Sequence, residues 1–272
     1  MVKGYQPTSL KEALEIRSRE KVTLYGGGTD LMVEDEREGS YLFLNKIPEM
    51  REIKEEEGLL RIGTACTFTE VLEHPKTPKI MKEAISSIAS PAIRNLGTMG
   101  GNIGNGSSKG DSVIVLFVAD AKLRIVSLKG ERIIDIDKFY LGRKKLDLRE
   151  DEIIVEILLP TKNLDNYSFE KIAERQALAI SRVSFAGVFS MEGDKISKIA
   201  VAFGAVASTF LRFKNIEEKL IGKTLEEARA LKEEFIALYD EATVFTEGRV
   251  SAEFRKEACM NLLRNFLLQN GI

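Results

Sequence analysis

The sequence predicts an α+β protein in two parts, and three observations lead there. Strand-length apolar runs alternate with helical stripes through the first 160 residues. A polar stretch, TKNLDN (161–166), follows Pro160 and marks a boundary. Beyond it come three strand-like runs and then two long helical patterns, the order of an α+β domain.

Each element has a local reason. Ser9 with Glu12 reads as a capping box, and Leu10, Ala13, Leu14 and Ile16 form an apolar stripe, predicting a helix over about 9–19. KVTLY (21–25) is a short strand broken by GGGTDLM, and YLFLN (41–45) is a buried strand. Residues 50–65 read as two strands around a turn at Glu57-Gly58. TFTEVLEH and PKIMKEAISSIA are helical. DSVIVLFVADA begins with Asp111 as an N-cap candidate and is apolar all round, which predicts a buried helix. KLRIVSLKGERIIDID is a hairpin with Lys129-Gly130 at its turn, and DEIIVEILLP (151–160) is a strand stopped by its proline. After the boundary, YSFEKIAER, VSFAGVFSME and KISKIAVAFGAV are three antiparallel strands. A helix opened by a Thr224/Glu227 capping box follows. In the last helix Phe254, Ala258, Leu262 and Phe266 fall four apart on one face, which is assigned to the core.

Composition narrows the function classes. Forty basic against forty-two acidic residues leave a net charge of −2, so nothing offsets a nucleic-acid backbone. No apolar run reaches the roughly 20 residues a spanning helix needs, and MVKGYQPTSL lacks the apolar centre of a signal peptide, so a cytoplasmic protein is expected. Cys66 and Cys259 form no CxxC pair and read as buried packing residues; no protein-held metal site is predicted. His74, the single histidine, closes a helix before Pro75, where a positive charge suits the helix dipole. No catalytic residue is assigned.

Two glycine-rich stretches stand apart. YGGGTD (25–30) follows a strand, and GTMGGNIGNGSSKGDS (97–112) has six glycines in sixteen positions with neither helical nor strand period. Bare backbone permits positive φ and lets N–H groups converge on an anion. Thr29, Thr98, Asn102, Ser107 and Ser108 add short donors, so the pair suits a pyrophosphate. Neither stretch fits GxGxxG, and IGKT (221–224) has Glu217 where a Walker A loop needs glycine. Flexible surface turns are the alternative reading.

Together these motifs resemble the FAD-binding medium subunit of molybdenum hydroxylases, the family of xanthine dehydrogenase and carbon monoxide dehydrogenase. YGGGTDLM is similar to the family's A-G-G-G-T-D-L, and GTMGGNIGNGSSKGDS to its T-I-G-G-N followed by G-D. IRNLGTMGGN, FEKIAERQALAIS and SAEFRKEACMNLLRNFL agree as well, the last with an S-x-E-[YF]-R helix. The resemblance implies a two-lobed FAD domain of the vanillyl-alcohol-oxidase type over 1–161, its lobes roughly 1–55 and 56–161. A smaller domain of three antiparallel strands and a helical bundle would fill 162–272.

The resemblance also implies cofactor contacts. Gly26, Gly27, Gly28, Thr29, Asp30 and Leu31 would wrap the diphosphate, and Thr98, Gly101 and Asn102 would approach it from the other side. Asp111 would bind the adenosine ribose or hold the loop, with N-capping as a compatible role. Ile154 would pack near the adenine or flavin, or be plain core. Lys171 would face the cofactor, unless a one-residue shift puts Glu170 there or it is an ordinary exposed residue. Tyr25 stands where the family usually has alanine, and Lys109 where proline or alanine is frequent. A large molybdenum-cofactor subunit, a small subunit with two [2Fe–2S] clusters and an acceptor such as NAD, a quinone or dioxygen are the implied partners. Two other readings stay open: a self-sufficient FAD oxidoreductase resembling the enolpyruvyl reductase of cell-wall synthesis, and a non-enzymatic anion-binding module.

Overall fold

The computed structural model describes residues 3–33 and 39–272. The chain divides into two compact units, each assembled from separate segments. One comprises Met1–Thr77, Ile88–Ser107 and Asp120–Pro160; the other comprises Pro78–Ser87, Ser108–Ala119 and Thr161–Ile272. The chain leaves the first unit for the last time at the polar stretch after Pro160. Two earlier helices, Lys79–Ser86 and Asp111–Val118, already belong to the second unit, because their apolar faces pack with its strands and with each other.

The first unit holds two sheets. A small parallel sheet has the order Lys3–Tyr5, Ser40–Phe43, Val22–Tyr25. Parallel neighbours need a crossover, and the helix Leu10–Arg19 supplies one. Ser9 caps that helix by accepting the Glu12 N–H at 3.2 Å, but the Glu12 carboxylate accepts from Thr8 rather than Ser9, so the expected capping box is displaced by one residue. Ala13, Leu14, Val22, Leu42, Leu44, Ile47 and Met50 form the core here.

The second sheet of this unit is antiparallel, with the order Ile53–Glu56, Leu59–Gly63, Ile153–Pro160, Lys122–Ser127, Gly130–Asp135. Its first hairpin turns at Glu57 and Gly58, both at positive φ (53° and 76°), the conformation a two-residue type I′ hairpin requires. The second turns at Leu128-Lys129, and Gly130 is the first residue of the returning strand. The latest strand in sequence lies in the middle. Ile153 to Leu159 are all buried, and the one carboxylate among them that faces the ion-pair row, Glu156, is held by Arg61 (2.6 Å) and Arg124 (3.1 Å) from the flanking strands. Burial opposes ionisation of Glu156, but these two guanidiniums outweigh it and hold its pKa below the usual carboxylate range.

The second unit packs helices on a four-stranded antiparallel sheet of order Tyr167–Ile172, Val183–Glu192, Lys195–Gly204, Leu211–Arg212. The sequence reading has three strands; the fourth is two residues long, too short to carry a period. Leu225–Ala242 begins with the predicted capping box, both hydrogen bonds present. Phe185, Phe203, Phe235, Tyr239, Leu263 and Phe266 form the core. The final helix, Ala252–Gln269, is rotated from the expected face. Arg255, Cys259, Met260, Leu263, Phe266 and Leu267 are buried, whereas Phe254 is 42% exposed and Ala258 and Leu262 are only half-buried. A core stripe alternating three and four apart replaces the strict four-residue step, as 3.6 residues per turn demands over four turns.

Both cysteines are fully buried, and burial pushes the Cys66 thiol up to about 12. His74 is a helix C-cap whose Nδ1 accepts the Lys76 N–H at 3.4 Å.

Candidate functional site

The two glycine stretches meet in the first unit. A Cβ on Gly26 would lie 2.5 Å from Thr98 Oγ1 and 3.5 Å from the Gly101 Cα. A Cβ on Gly27 would overlap the Leu96 carbonyl and come within 2.9 Å of the Gly97 Cα. The bare backbone is therefore what allows one loop to lie directly on the other.

The stretches differ in how they use their N–H groups. The second is not irregular, as its composition suggests. It forms a short helix, Met99–Gly104, capped by Thr98, whose hydroxyl accepts the Gly101 N–H at 3.0 Å. Met99 N–H donates to Cys66 O at 3.0 Å and Gly100 N–H to Thr64 O at 2.8 Å. The cap and these docking bonds stabilise helix in a segment whose glycines disfavour it. Thr64 also donates its hydroxyl to Ile154 O at 2.6 Å, which ties the glycine helix to the central strand.

The first stretch is open. Among the described residues, the consecutive main-chain N–H groups of Gly26, Gly27, Gly28, Thr29 and Asp30 donate to no acceptor. Carbonyls of the same loop are used: Gly28 O accepts from Met32 and Asp30 O from Val33, both at 3.0 Å, which turns the chain into Leu31–Val33. Gly28 takes φ = +71°. Four half-exposed residues and the exposed Asp30 carry these donors on one short loop beside a second glycine backbone, an arrangement that suits an anion with several oxygens. A nucleotide diphosphate fits that donor set, with the Thr29 hydroxyl as a further donor.

Asp111 and Lys171 are brought together in the second unit. Lys171 Nζ donates to Asp111 Oδ2 at 2.6 Å and to Ser87 O at 2.9 Å. Ser181, which no motif marks, donates its hydroxyl to Asp111 Oδ1 at 2.5 Å. Asp111 is not an N-cap: Gly110 holds that position, and the carboxylate of Asp111 instead joins the two ends of the connection from Ile172 to Val183. It is 5% exposed, and burial pushes its carboxyl above the usual range despite the opposing Lys171 charge. Lys171 is thus not an exposed strand residue, and among the described residues two of its three N–H groups find acceptors. Ile154 is an interior residue of its strand.

Residues 1–162 match the family model described as the FAD binding domain in molybdopterin dehydrogenase, and residues 168–270 match the CO dehydrogenase flavoprotein C-terminal domain. The chain belongs to this family of molybdopterin dehydrogenase FAD subunits. The xanthine dehydrogenase FAD-binding subunit of Escherichia coli O157:H7 is 31% identical over 264 residues, covering 92% of this chain and 89% of that subunit. The nicotinate dehydrogenase FAD-subunit of Eubacterium barkeri is 28% identical over 279 residues, covering 97% and 94%. Among solved structures, the carbon monoxide dehydrogenase of Hydrogenophaga pseudoflava superposes with a TM-score of 0.88 at 25% identity, covering 97% of this chain and 95% of the matched one. The mixed helix-and-strand fold is therefore that of the matched carbon monoxide dehydrogenase chain.

Proposed function

We propose that this chain is the FAD-binding electron-transfer subunit of a molybdenum-containing hydroxylase or dehydrogenase. In this reading a large partner subunit carries the molybdenum cofactor and the substrate, and a small partner carries [2Fe–2S] clusters. Electrons leave through this chain to an external acceptor such as NAD, a quinone or dioxygen. Residues 1–161 act as a two-lobed FAD domain of the vanillyl-alcohol-oxidase type. Family membership and end-to-end similarity to chains named as FAD subunits support the assignment.

The observation that carries it is the run of five N–H groups from Gly26 to Asp30, beside the glycine helix, that find no acceptor among the described residues. These amides and the Thr29 hydroxyl would hold the diphosphate, and Thr98, Gly101 and Asn102 would form the opposite wall. Bound FAD supplies the redox chemistry by accepting and releasing electrons. The protein residues fix its position and need no general acid or base. Purified chain titrated with FAD should turn yellow in a stoichiometric complex and melt at a higher temperature, since a ligand of the folded state stabilises it. A chain that stays colourless in excess FAD, with an unmoved melting temperature, rejects the proposal.

A further inference from the structure

Tyr25 ends the strand Val22–Tyr25 immediately before the open loop. Its ring is held by neighbours on the parallel sheet. The Phe43 ring centroid is 4.6 Å away with planes 48° apart, and Tyr41 meets it edge-on at 6.3 Å. So fixed, the phenol folds forward over its own loop: a Cβ on Gly28 would overlap the Tyr25 hydroxyl. Gly28 must be glycine twice over, for its positive φ and for the phenol that lies against it.

That hydroxyl is bonded to nothing among the described residues. A phenol O–H is both donor and acceptor, and one held half-buried by aromatic packing ordinarily finds a partner. This one stops in the middle of a loop whose five N–H groups also find no acceptor among the described residues. The coincidence has a simple chemical resolution. A single anionic ligand with several oxygens would satisfy the amides and the hydroxyl together, and an O–H bond to a charged oxygen is among the stronger hydrogen bonds.

We propose that Tyr25 is a diphosphate-binding residue whose hydroxyl donates to a phosphate oxygen of the dinucleotide seated on Gly26–Asp30. The proposal rests on the FAD reading above and adds to it a side-chain donor at a position where the family usually has alanine. Alanine at this position would leave the diphosphate to the main chain and the Thr29 hydroxyl.

Tyr25→Phe removes the oxygen and keeps the ring packing. The apoprotein and its variant are titrated with FAD, and with ADP, which carries a diphosphate without the flavin. Melting temperatures of both apoproteins are recorded. The expected result is an unchanged apoprotein melting temperature with binding of FAD and ADP weakened about tenfold each, the size of a lost hydrogen bond to a charged group. Wild-type affinity of Tyr25→Phe for both ligands overturns the proposal and leaves Tyr25 a buttress for the loop. A fall in apoprotein melting temperature with unchanged ligand affinity overturns it in the same way. If the wild-type chain binds neither ligand, the FAD reading itself fails, a result separable from the other two.

Discussion

Gly27 and Gly101 are both bare, but for different reasons. Gly27 lies against the Leu96 main chain, where a methyl group meets a carbonyl that cannot move without carrying the glycine helix with it. Gly101 is exposed, and its added Cβ would meet only Thr98 Oγ1, at 3.0 Å. Gly27→Ala should therefore lower apoprotein stability by about 1–3 kcal/mol through overpacking. Gly101→Ala should leave stability unchanged or raise it by up to about 1 kcal/mol, since alanine favours helix. It should still weaken FAD binding, because the methyl group intrudes on the wall of the cradle. Urea denaturation of the apoproteins together with FAD titration checks both, and equal destabilisation by the two substitutions would contradict the geometry. From the sequence the two glycines look equivalent. Only the contact each makes tells packing from ligand access.

At the level of elements, the buried triad of Asp111, Lys171 and Ser181 decides how one connection is held. Asp111 opens a helix, while Lys171 and Ser181 sit at opposite ends of the link between two strands. Removing the carboxylate leaves a buried ammonium with only the Ser87 carbonyl. Asp111→Ala is expected to cost about 3–5 kcal/mol, the range for breaking a buried pair from one side. A loss below about 1 kcal/mol, measured by urea unfolding, would show that the triad is not a structural staple. The resemblance marks Asp111 and Lys171 but says nothing of their mutual contact, and Ser181 carries no signal because its partner is 70 residues away. The same limit explains the final helix. Its amphipathic pattern is legible, yet a strict four-residue step picks Phe254 in place of Arg255, whose aliphatic stem is buried and whose Nη1 donates to Thr246.

On the scale of the whole molecule, local pattern predicted most elements. It did not predict sheet order. Nothing local in Ile153–Pro160 says that it inserts between Leu59–Gly63 and Lys122–Ser127, although its unbroken burial is what a central strand requires. The strand Lys3–Tyr5 is three residues long and escapes any periodicity test. That central position sets the acid response. Glu156 and Glu152 lie on or beside this strand and bond to Arg61, Arg124 and Arg132. For Glu152, burial and the opposing Arg132 bonds net to a pKa below the ordinary one, as for Glu156. Groups with depressed folded pKa values give stability that is present above the unfolded value, about 4.3, and is lost as pH falls through the folded value. Asp111 has the opposite sign: its raised pKa gives stability that is complete at low pH and fades as pH rises through the folded value. Urea midpoints should therefore fall between about pH 5 and about pH 3, and Glu156→Gln should flatten that fall. A midpoint that holds steady across the range would show the two glutamates are not shifted as described.

In the proposed function the main-chain donors of Gly26–Asp30 hold the FAD diphosphate, and amide hydrogen exchange reads those donors one segment at a time. Among the described residues the N–H groups of Gly26 to Asp30 find no acceptor, so in the apoprotein they should exchange fast. Saturating FAD should slow them sharply, while the amides of Met99 to Gly101, already bonded in the apoprotein, change little. FAD bound at full occupancy with Gly26–Asp30 still exchanging at the apoprotein rate would contradict the account.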